Sequence, residues 1–159
     1  MHRSHGAHGA VPRRIAQPVL LIVAIAAIIS SGCAQIECTG VGADAVCPGD
    51  DRPATLEYVT TTILRPSCAN AQCHGAFRNR KGYRFDTIEH AQQSMVKLDG
   101  STLVTPGDPD TSQLYLVLVR STTADGKFPR MPLDEPLAGA DIALVKRWIT
   151  EGADGLVFP

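Results

Sequence analysis

Two cysteines and a histidine stand close together near the middle of the chain, as Cys68, Cys73 and His74. A cysteine thiol can form a disulfide, bind a metal or add to an electrophilic carbon, and histidine is the commonest side-chain ligand for metals. Four residues separate the two cysteines, and the histidine follows the second cysteine directly. This order suits a site in which two thiols hold a group covalently and the imidazole binds its metal.

The same order of residues occurs in the Cys-x-x-Cys-His motif that attaches c-type haem. In that motif both thiols add to the haem vinyl groups and the histidine binds the iron. The spacing here is wider by two residues, and the small residues Ala69 and Ala71 let the extra length bulge outward or coil into a turn. A disulfide between Cys68 and Cys73 is the main alternative, provided that their Cα atoms come within about 7 Å. A metal site or a reactive thiol is a third interpretation.

A second axial ligand for such an iron would have to come from a distant loop. Met131 is the best candidate, because it stands in a proline-flanked segment, residues 129–132, where the backbone is stiff and extended. Methionine with histidine raises the reduction potential and fills both axial positions, which suits an electron carrier. Met131 could equally be an apolar residue that fills a gap. If Met131 faces away from the iron, Met95 is the reserve ligand. His90 is expected at the surface and not at the iron.

Short helices must position these groups. The spacing of apolar residues predicts helical segments at 53–64, at 113–119 and at 138–151, the second of which could also be a strand. Capping-box spacing predicts a further helix, with Asp86 as its cap, that runs to about Lys97. Pro66 is expected to end the first segment and deliver the chain to Cys68. The last segment is the clearest, because four apolar residues fall on one stripe and Gly152 is a natural stop. The stripe consists of Ile142, Val145, Trp148 and Ile149. The expected fold class is all-α, with three to four short helices and long loops.

Four pieces of the chain together resemble the small single-haem c-type cytochrome domains of exported bacterial proteins and lipoproteins. They are residues 63–68 running into 73–75, residues 104–112, residues 130–132 and residues 137–153. The resemblance implies a cytochrome c-like fold around a covalent haem c. It also implies that Cys68 and Cys73 form the thioethers, that His74 is the proximal iron ligand, and that Met131 is the distal one.

The N-terminal residues 1–32 are predicted to be an export signal. Three arginines precede an uninterrupted apolar run at residues 19–29, which is too short to span a bilayer comfortably. The run ends in Ser30-Ser31-Gly32-Cys33, which resembles a bacterial lipobox. Lipidation of Cys33 would anchor the mature protein to a membrane that faces the periplasm, whereas cleavage after Ala34 would leave it unanchored. Either way, the chain is expected to be exported.

Four of the five cysteines remain when Cys33 is set aside. Because an exported chain enters an oxidising compartment, paired cysteines are expected. Cys38 and Cys47 flank a glycine-containing loop and are predicted to form a disulfide. Residues 33–52 are accordingly predicted to be a tether that carries this bridge. The cytochrome-like domain is expected at residues 53–159, beginning near Pro53.

The charge balance limits the possible partners. Three of the 15 basic residues lie in the signal, which leaves 12 against 16 acidic residues and argues against a general nucleic-acid binder. Hydrolase and phosphate-binding motifs are absent from the sequence. One basic cluster follows the haem motif and is expected to lie on a solvated loop. The alternative is that it contacts haem propionates or an acidic redox partner. The cluster consists of Arg78, Arg80, Lys81 and Arg84.

Three classes of function fit these observations. The favoured hypothesis is one-electron transfer without catalysis, between the haem and a redox partner protein. The alternative is a haem-free structural lipoprotein with a cytochrome-like fold and two disulfides. A haem enzyme or sensor is the third, and it requires that Met131 does not bind the iron.

Overall fold

Four helices form the described part of the chain, which in this computed structural model comprises residues 36–40, 45–96, 102–120 and 129–158. Helix α1 has three consecutive parts, α2 and α3 are short, and α4 is the longest regular helix. Their bounds are Leu56–Val59, Thr60–Leu64 and Arg65–Cys68 for α1, Ile88–Met95 for α2, Gln113–Val119 for α3 and Gly139–Thr150 for α4. The described residues form no strand, only two isolated bridges. The prediction of an all-α fold is confirmed for these residues.

The sequence predicts that helix α1 ends at Pro66. In the structure the helix instead continues through Pro66 to Cys68. The reason is a π-helical turn, Thr60–Leu64, in which the Arg65 N–H bonds to the carbonyl oxygen of Thr60, five residues earlier. A proline in a helix clashes with the carbonyl group four residues before it. The wider turn shifts the hydrogen-bond ladder just where that clash would occur. Cys68 therefore stands on the last turn of a helix and not on a loop.

Helix α4 forms the centre of the core and follows the sequence prediction closely. Its four stripe residues are all buried, and the helix contacts both α1 and α3. After its last turn, Gly152 adopts a positive φ of 101°, and the Ala153 N–H bonds to the carbonyl oxygen of Trp148 at 2.8 Å. This is the Schellman ending, which a glycine at this position favours.

Helix α2 begins one residue later than its sequence pattern predicts. Its N-cap is Thr87, whose Oγ1 accepts a hydrogen bond from the His90 N–H at 3.1 Å. Asp86 instead forms an ion pair with Arg84, in which Oδ2 of Asp86 lies 2.7 Å from Nη2 of Arg84. Because the Asp86 carboxylate pairs with Arg84, Thr87 caps the helix in place of Asp86.

Residues 45–52 lie on helix α4 and are part of the compact unit, which extends from Ile36 to Pro159. Cys38 and Cys47 are joined by a disulfide, and Arg52 Nη1 lies 2.7 Å from Asp141 Oδ1 on α4. Arg147, also on α4, donates to the backbone carbonyl oxygens of this segment. Consequently the folded unit begins earlier than the expected boundary near Pro53.

Replacing Arg52 by Met should lower the free energy of unfolding at neutral pH by about 1–3 kcal/mol, because a charged hydrogen bond is lost and its acceptor stays buried. That acceptor is Asp50, whose side chain is 4% exposed. The hydrogen bond from Arg52 holds the pKa of Asp50 below its usual value, and Arg147 adds to this effect. The ionised carboxylate therefore stabilises the fold above pH 4, approximately, and this stabilisation is lost as the pH falls through the lowered pKa.

Urea unfolding of both chains across pH 2–7 provides the measurement. The stability difference between wild type and Arg52→Met should narrow in the acid range. Arg78→Met removes the same charge from an exposed position and should change stability by about 0.5 kcal/mol at most. A difference for Arg52→Met that stays constant down to pH 2 would contradict the assignment.

Two predictions fall outside the described residues. The signal at residues 1–32 and the lipidation site Cys33 both lie there. Within the part of the chain that is described, none of the helices combines the length and the apolar character needed to cross a bilayer.

Candidate functional site

One cavity of about 280 Å³ is lined by all four residues that the sequence analysis assigns to a haem: Cys68, Cys73, His74 and Met131. Three of them belong to one short segment, whereas Met131 comes from a loop far along the chain. Pro132 and Leu133 of that loop also line the cavity and add apolar surface. Its volume is just below the usual range for small-molecule sites, about 300–1,000 Å³.

The residues between the two cysteines coil into a compact turn. The Cys73 N–H bonds to the carbonyl oxygen of Asn70 at 3.0 Å, and the His74 N–H bonds to the carbonyl oxygen of Cys68, also at 3.0 Å. The four intervening residues thus take up their extra length by coiling, which is one of the two solutions that the sequence allows. The second hydrogen bond ties the histidine directly to the last turn of α1.

Both cysteines of this turn are free thiols in the structure, so the second disulfide is not formed. Burial raises the pKa of the Cys68 thiol to about 12, and the neighbouring Cys73 adds to the effect. Cys68 is therefore protonated at neutral pH, because burial disfavours the charged thiolate. The site offers two reduced sulfur atoms beside one cavity.

The His74 imidazole is held in one orientation and one tautomer. Its Nδ1 lies 3.2 Å from the backbone carbonyl oxygen of Arg80. A carbonyl oxygen only accepts, so the Nδ1–H donates in this contact, and Nε2 is the nitrogen that remains for a metal. The ring also packs edge-on against Phe85, with 5.6 Å between the centroids, and lies near Tyr83. This arrangement is typical of a metal-binding histidine whose second nitrogen is fixed by the backbone.

Arg80 holds this carbonyl in place through its own hydrogen bonds. Its backbone N–H bonds to the carbonyl oxygen of Cys73 at 3.0 Å, and its Nε donates to the carbonyl oxygen of Gln72 at 2.9 Å. The following Lys81 and Gly82 both have positive φ, 58° and 74°, and complete the 3-10 turn Arg80–Gly82. The sequence pattern predicts Arg80 only as a member of a charged cluster and gives no sign of this role. The Lys-Gly pair, which favours a turn, was the one available indication.

Gly75 follows the histidine where two stretches of backbone approach closely. A Cβ atom at this position would lie 2.4 Å from the carbonyl oxygen of Ala69 and 2.9 Å from that of Asn70. Real side chains do not tolerate such distances. The turn between the thiols can therefore close only over a glycine.

The Met131 loop is fixed to helix α3 through the backbone. The Met131 N–H donates to the carbonyl oxygen of Val117 at 2.7 Å, and the peptide bond to Pro132 is cis. Met95, the reserve ligand, is completely buried in the core and does not line the cavity. His90 lies on α2 with its Nδ1 3.1 Å from Asp86. Of the two methionines considered, only Met131 shares the cavity with His74.

The donor set at this cavity consists of the kinds of groups that hold a covalent haem. In the described ranges, no three or more histidine, cysteine and acidic side chains come together in a way that could hold a metal ion. Two thiols, one oriented imidazole and one thioether around an apolar cavity instead match the groups that attach and ligate c-type haem. Cys68 and Cys73 would hold the group covalently, and His74 and Met131 would bind its iron.

Comparison of the chain with protein-family models, with curated proteins and with solved structures finds no match.

Proposed function

We propose that this chain is a c-type cytochrome that carries one electron on a single covalently bound haem. The observation that supports this most strongly is the shared cavity of Cys68, Cys73, His74 and Met131. A thioether from a loop far along the chain lies at the same cavity as the two thiols and the imidazole of one short segment. When bound, haem supplies an iron centre that accepts and returns one electron.

Each residue has a distinct part in this proposal. Cys68 and Cys73 hold the haem through thioethers, so that it is not lost when the protein changes redox state. His74 binds the iron through Nε2, because its Nδ1 is committed to the carbonyl oxygen of Arg80. Met131 would supply the thioether that completes the ligand set of the iron and raises its reduction potential. With both ligands bound, no site would remain for a substrate, and the protein would be an electron carrier and not an enzyme.

The wider setting of the proposal follows from the sequence. Export by residues 1–32 and lipidation of Cys33 would place the domain at a membrane surface in or facing the periplasm. The four helices and long loops support a cytochrome c-like fold. A redox partner protein would exchange electrons with the haem, and nucleic acid is not a partner.

A redox titration of the exported protein tests this function. The visible spectrum should change reversibly between an oxidised and a reduced form, and the change should fit a one-electron curve. A spectrum that does not respond to reductants and oxidants would overturn the proposal.

Replacing Met131 by Ala should open the sixth coordination position and lower the reduction potential. Loss of a thioether ligand destabilises the reduced iron and leaves a position to which carbon monoxide can bind. The measurement is carbon monoxide binding to the reduced protein, followed by a redox titration. Met95→Leu is the matched control, because it replaces the buried methionine with a residue of similar volume and should leave the potential unchanged. If Met131→Ala binds no carbon monoxide and keeps the wild-type potential, another residue is the distal ligand.

A further inference from the structure

Arg80 contacts three consecutive residues at the end of the turn between the two thiols. Its Nε donates to the carbonyl oxygen of Gln72 at 2.9 Å, and its backbone N–H donates to the carbonyl oxygen of Cys73 at 3.0 Å. Its own carbonyl oxygen lies 3.2 Å from Nδ1 of His74. Arg80 and all three of these partners line the cavity of the candidate site. One residue thus binds the second cysteine and both of its neighbours at the cavity wall.

The turn needs a contact of this kind because little of it is buried. Three of the four residues between the thiols are exposed, namely Asn70, Ala71 and Gln72. Ordering a backbone costs conformational entropy for each residue, so the two residues beyond the usual spacing add to this cost. Hydrogen bonds to the carbonyl oxygen of Asn70 coil the turn locally. A contact from outside the turn must then hold Gln72 and Cys73 against the cavity.

The guanidinium of Arg80 suits this role better than that of its neighbour Arg78. A hydrogen bond from a charged donor is shorter and stronger than one between neutral groups. Arg78 also reaches Gln72, but there Nε lies 3.4 Å from the side-chain oxygen Oε1, so this contact joins two side chains. The backbone of Gln72 leads directly into Cys73. Holding its carbonyl oxygen therefore fixes the second thiol, whereas holding its side chain does not.

We infer that Arg80 is a positioning residue whose side chain allows the second thioether to form across a four-residue spacing. This inference rests on the proposed function, because the thioethers join the chain to the haem. In each thioether the thiol adds across a vinyl group. The sulfur bonds to the carbon next to the ring, the thiol hydrogen ends on the terminal carbon, and no oxidant or reductant is consumed.

The two cysteines differ in their dependence on Arg80. Cys68 stands on the last turn of α1 and packs against the core, so its place is independent of Arg80. Cys73 keeps its place at the cavity only while Arg80 holds the residue before it. Without the Arg80 side chain, Cys68 reacts, Cys73 stays a free thiol, and one vinyl group remains.

The test compares Arg80→Met with Arg78→Met in the full exported chain. Both substitutions remove one positive charge from an exposed side chain of the same loop, but the first alone removes the hydrogen bond to the Gln72 carbonyl oxygen. Peptide mapping after alkylation identifies any free cysteine in the haem-loaded protein. We expect Arg80→Met to hold most of its haem through Cys68 alone. Its pyridine haemochrome α-band should lie at longer wavelength, because one vinyl group stays conjugated to the ring. Arg78→Met should keep both thioethers.

A second measurement does not depend on haem loading. In the full chain produced without haem and with its thiols reduced, Cys73 should be alkylated several-fold faster in Arg80→Met than in the wild type. Cys68 should keep its rate, and Arg78→Met should leave both rates unchanged. Circular dichroism checks that the helices are present in all three chains. If Arg80→Met accumulates no haem-loaded protein, the alkylation rate of Cys73 decides.

The outcomes separate this inference from the proposed function. A wild-type chain that carries no haem overturns both. If the wild type carries haem but Arg80→Met also forms both thioethers, only the positioning role is overturned. The same holds if the wild type forms a single thioether, if Arg78→Met loses the second thioether equally, or if the alkylation rate of Cys73 in the haem-free chains does not respond to Arg80→Met.

Discussion

Replacing Gly75 by Ala should abolish accumulation of the haem-loaded protein and lower the free energy of unfolding by about 3 kcal/mol. The added methyl group would stand 2.4 Å from the carbonyl oxygen of Ala69, which is backbone and cannot rotate away. The turn between Cys68 and Cys73 must therefore open, and the two thiols lose their relative placement. Haem content per polypeptide and urea unfolding of the exported chain measure the two effects.

Gly139→Ala is the matched control for this substitution. Gly139 is the first residue of α4, and a Cβ atom there would lie 3.4 Å from the Cβ atom of Ala45, close to an ordinary contact. Alanine also favours the helix over glycine, so stability should be unchanged or slightly higher. A Gly75→Ala chain that loads haem as well as Gly139→Ala would show that the turn is not as tight as described.

Replacing Trp148 by Ala should lower the free energy of unfolding by about 3–5 kcal/mol, which is a large part of the stability of a small domain. The side chain is fully buried at the centre of the core, with 0% exposure. Its Nε1 donates to the carbonyl oxygen of Asp154 at 3.0 Å, and the same oxygen accepts the Leu56 N–H at 2.8 Å. The indole therefore fills the core and also joins the end of α4 to the beginning of α1.

A second variant, Trp148→Phe, separates the two contributions. Phenylalanine keeps most of the buried apolar volume but has no N–H group, so the loss should be about 1–2 kcal/mol. Guanidinium unfolding followed by circular dichroism gives both values. Equal losses for the alanine and phenylalanine variants would contradict the assignment of most of the stability to packing.

The parts of the fold that the sequence predicts are those in which local pattern and burial agree. The apolar stripe of α4 and the glycine after it give both the helix and its ending, because one face must be buried and one residue must adopt a positive φ. The apolar run at 113–119 is compatible with either a helix or a strand, and the run alone does not distinguish between them. Packing of α3 against α4 is the additional information that the structure provides.

The differences arise where one local rule competes with another contact. Pro66 should end α1, but the π-helical turn before it makes room for its ring. Asp86 should cap α2, but Arg84 binds its carboxylate and Thr87 caps instead. In the first case the backbone adapts its hydrogen bonding, and in the second a neighbouring side chain offers the carboxylate a better partner.

The candidate site divides in the same way. Cys68, Cys73 and His74 are recognisable by residue type and spacing, and Met131 by its proline-flanked loop. The carbonyl oxygen of Arg80 carries no side-chain signature, because any residue has a carbonyl group and only the turn geometry aims it at His74. Backbone partners of this kind become visible only in the structure.

The measurement that tests the central claim most directly is a pyridine haemochrome spectrum combined with intact mass. The protein should be exported from a host that has cytochrome c maturation machinery. We expect the α-band of a c-type haem and a mass that is larger by one haem per chain, which would establish that the four-residue spacing accepts the cofactor. A haem-free chain whose mass corresponds to two disulfides would contradict the account and favour the structural lipoprotein.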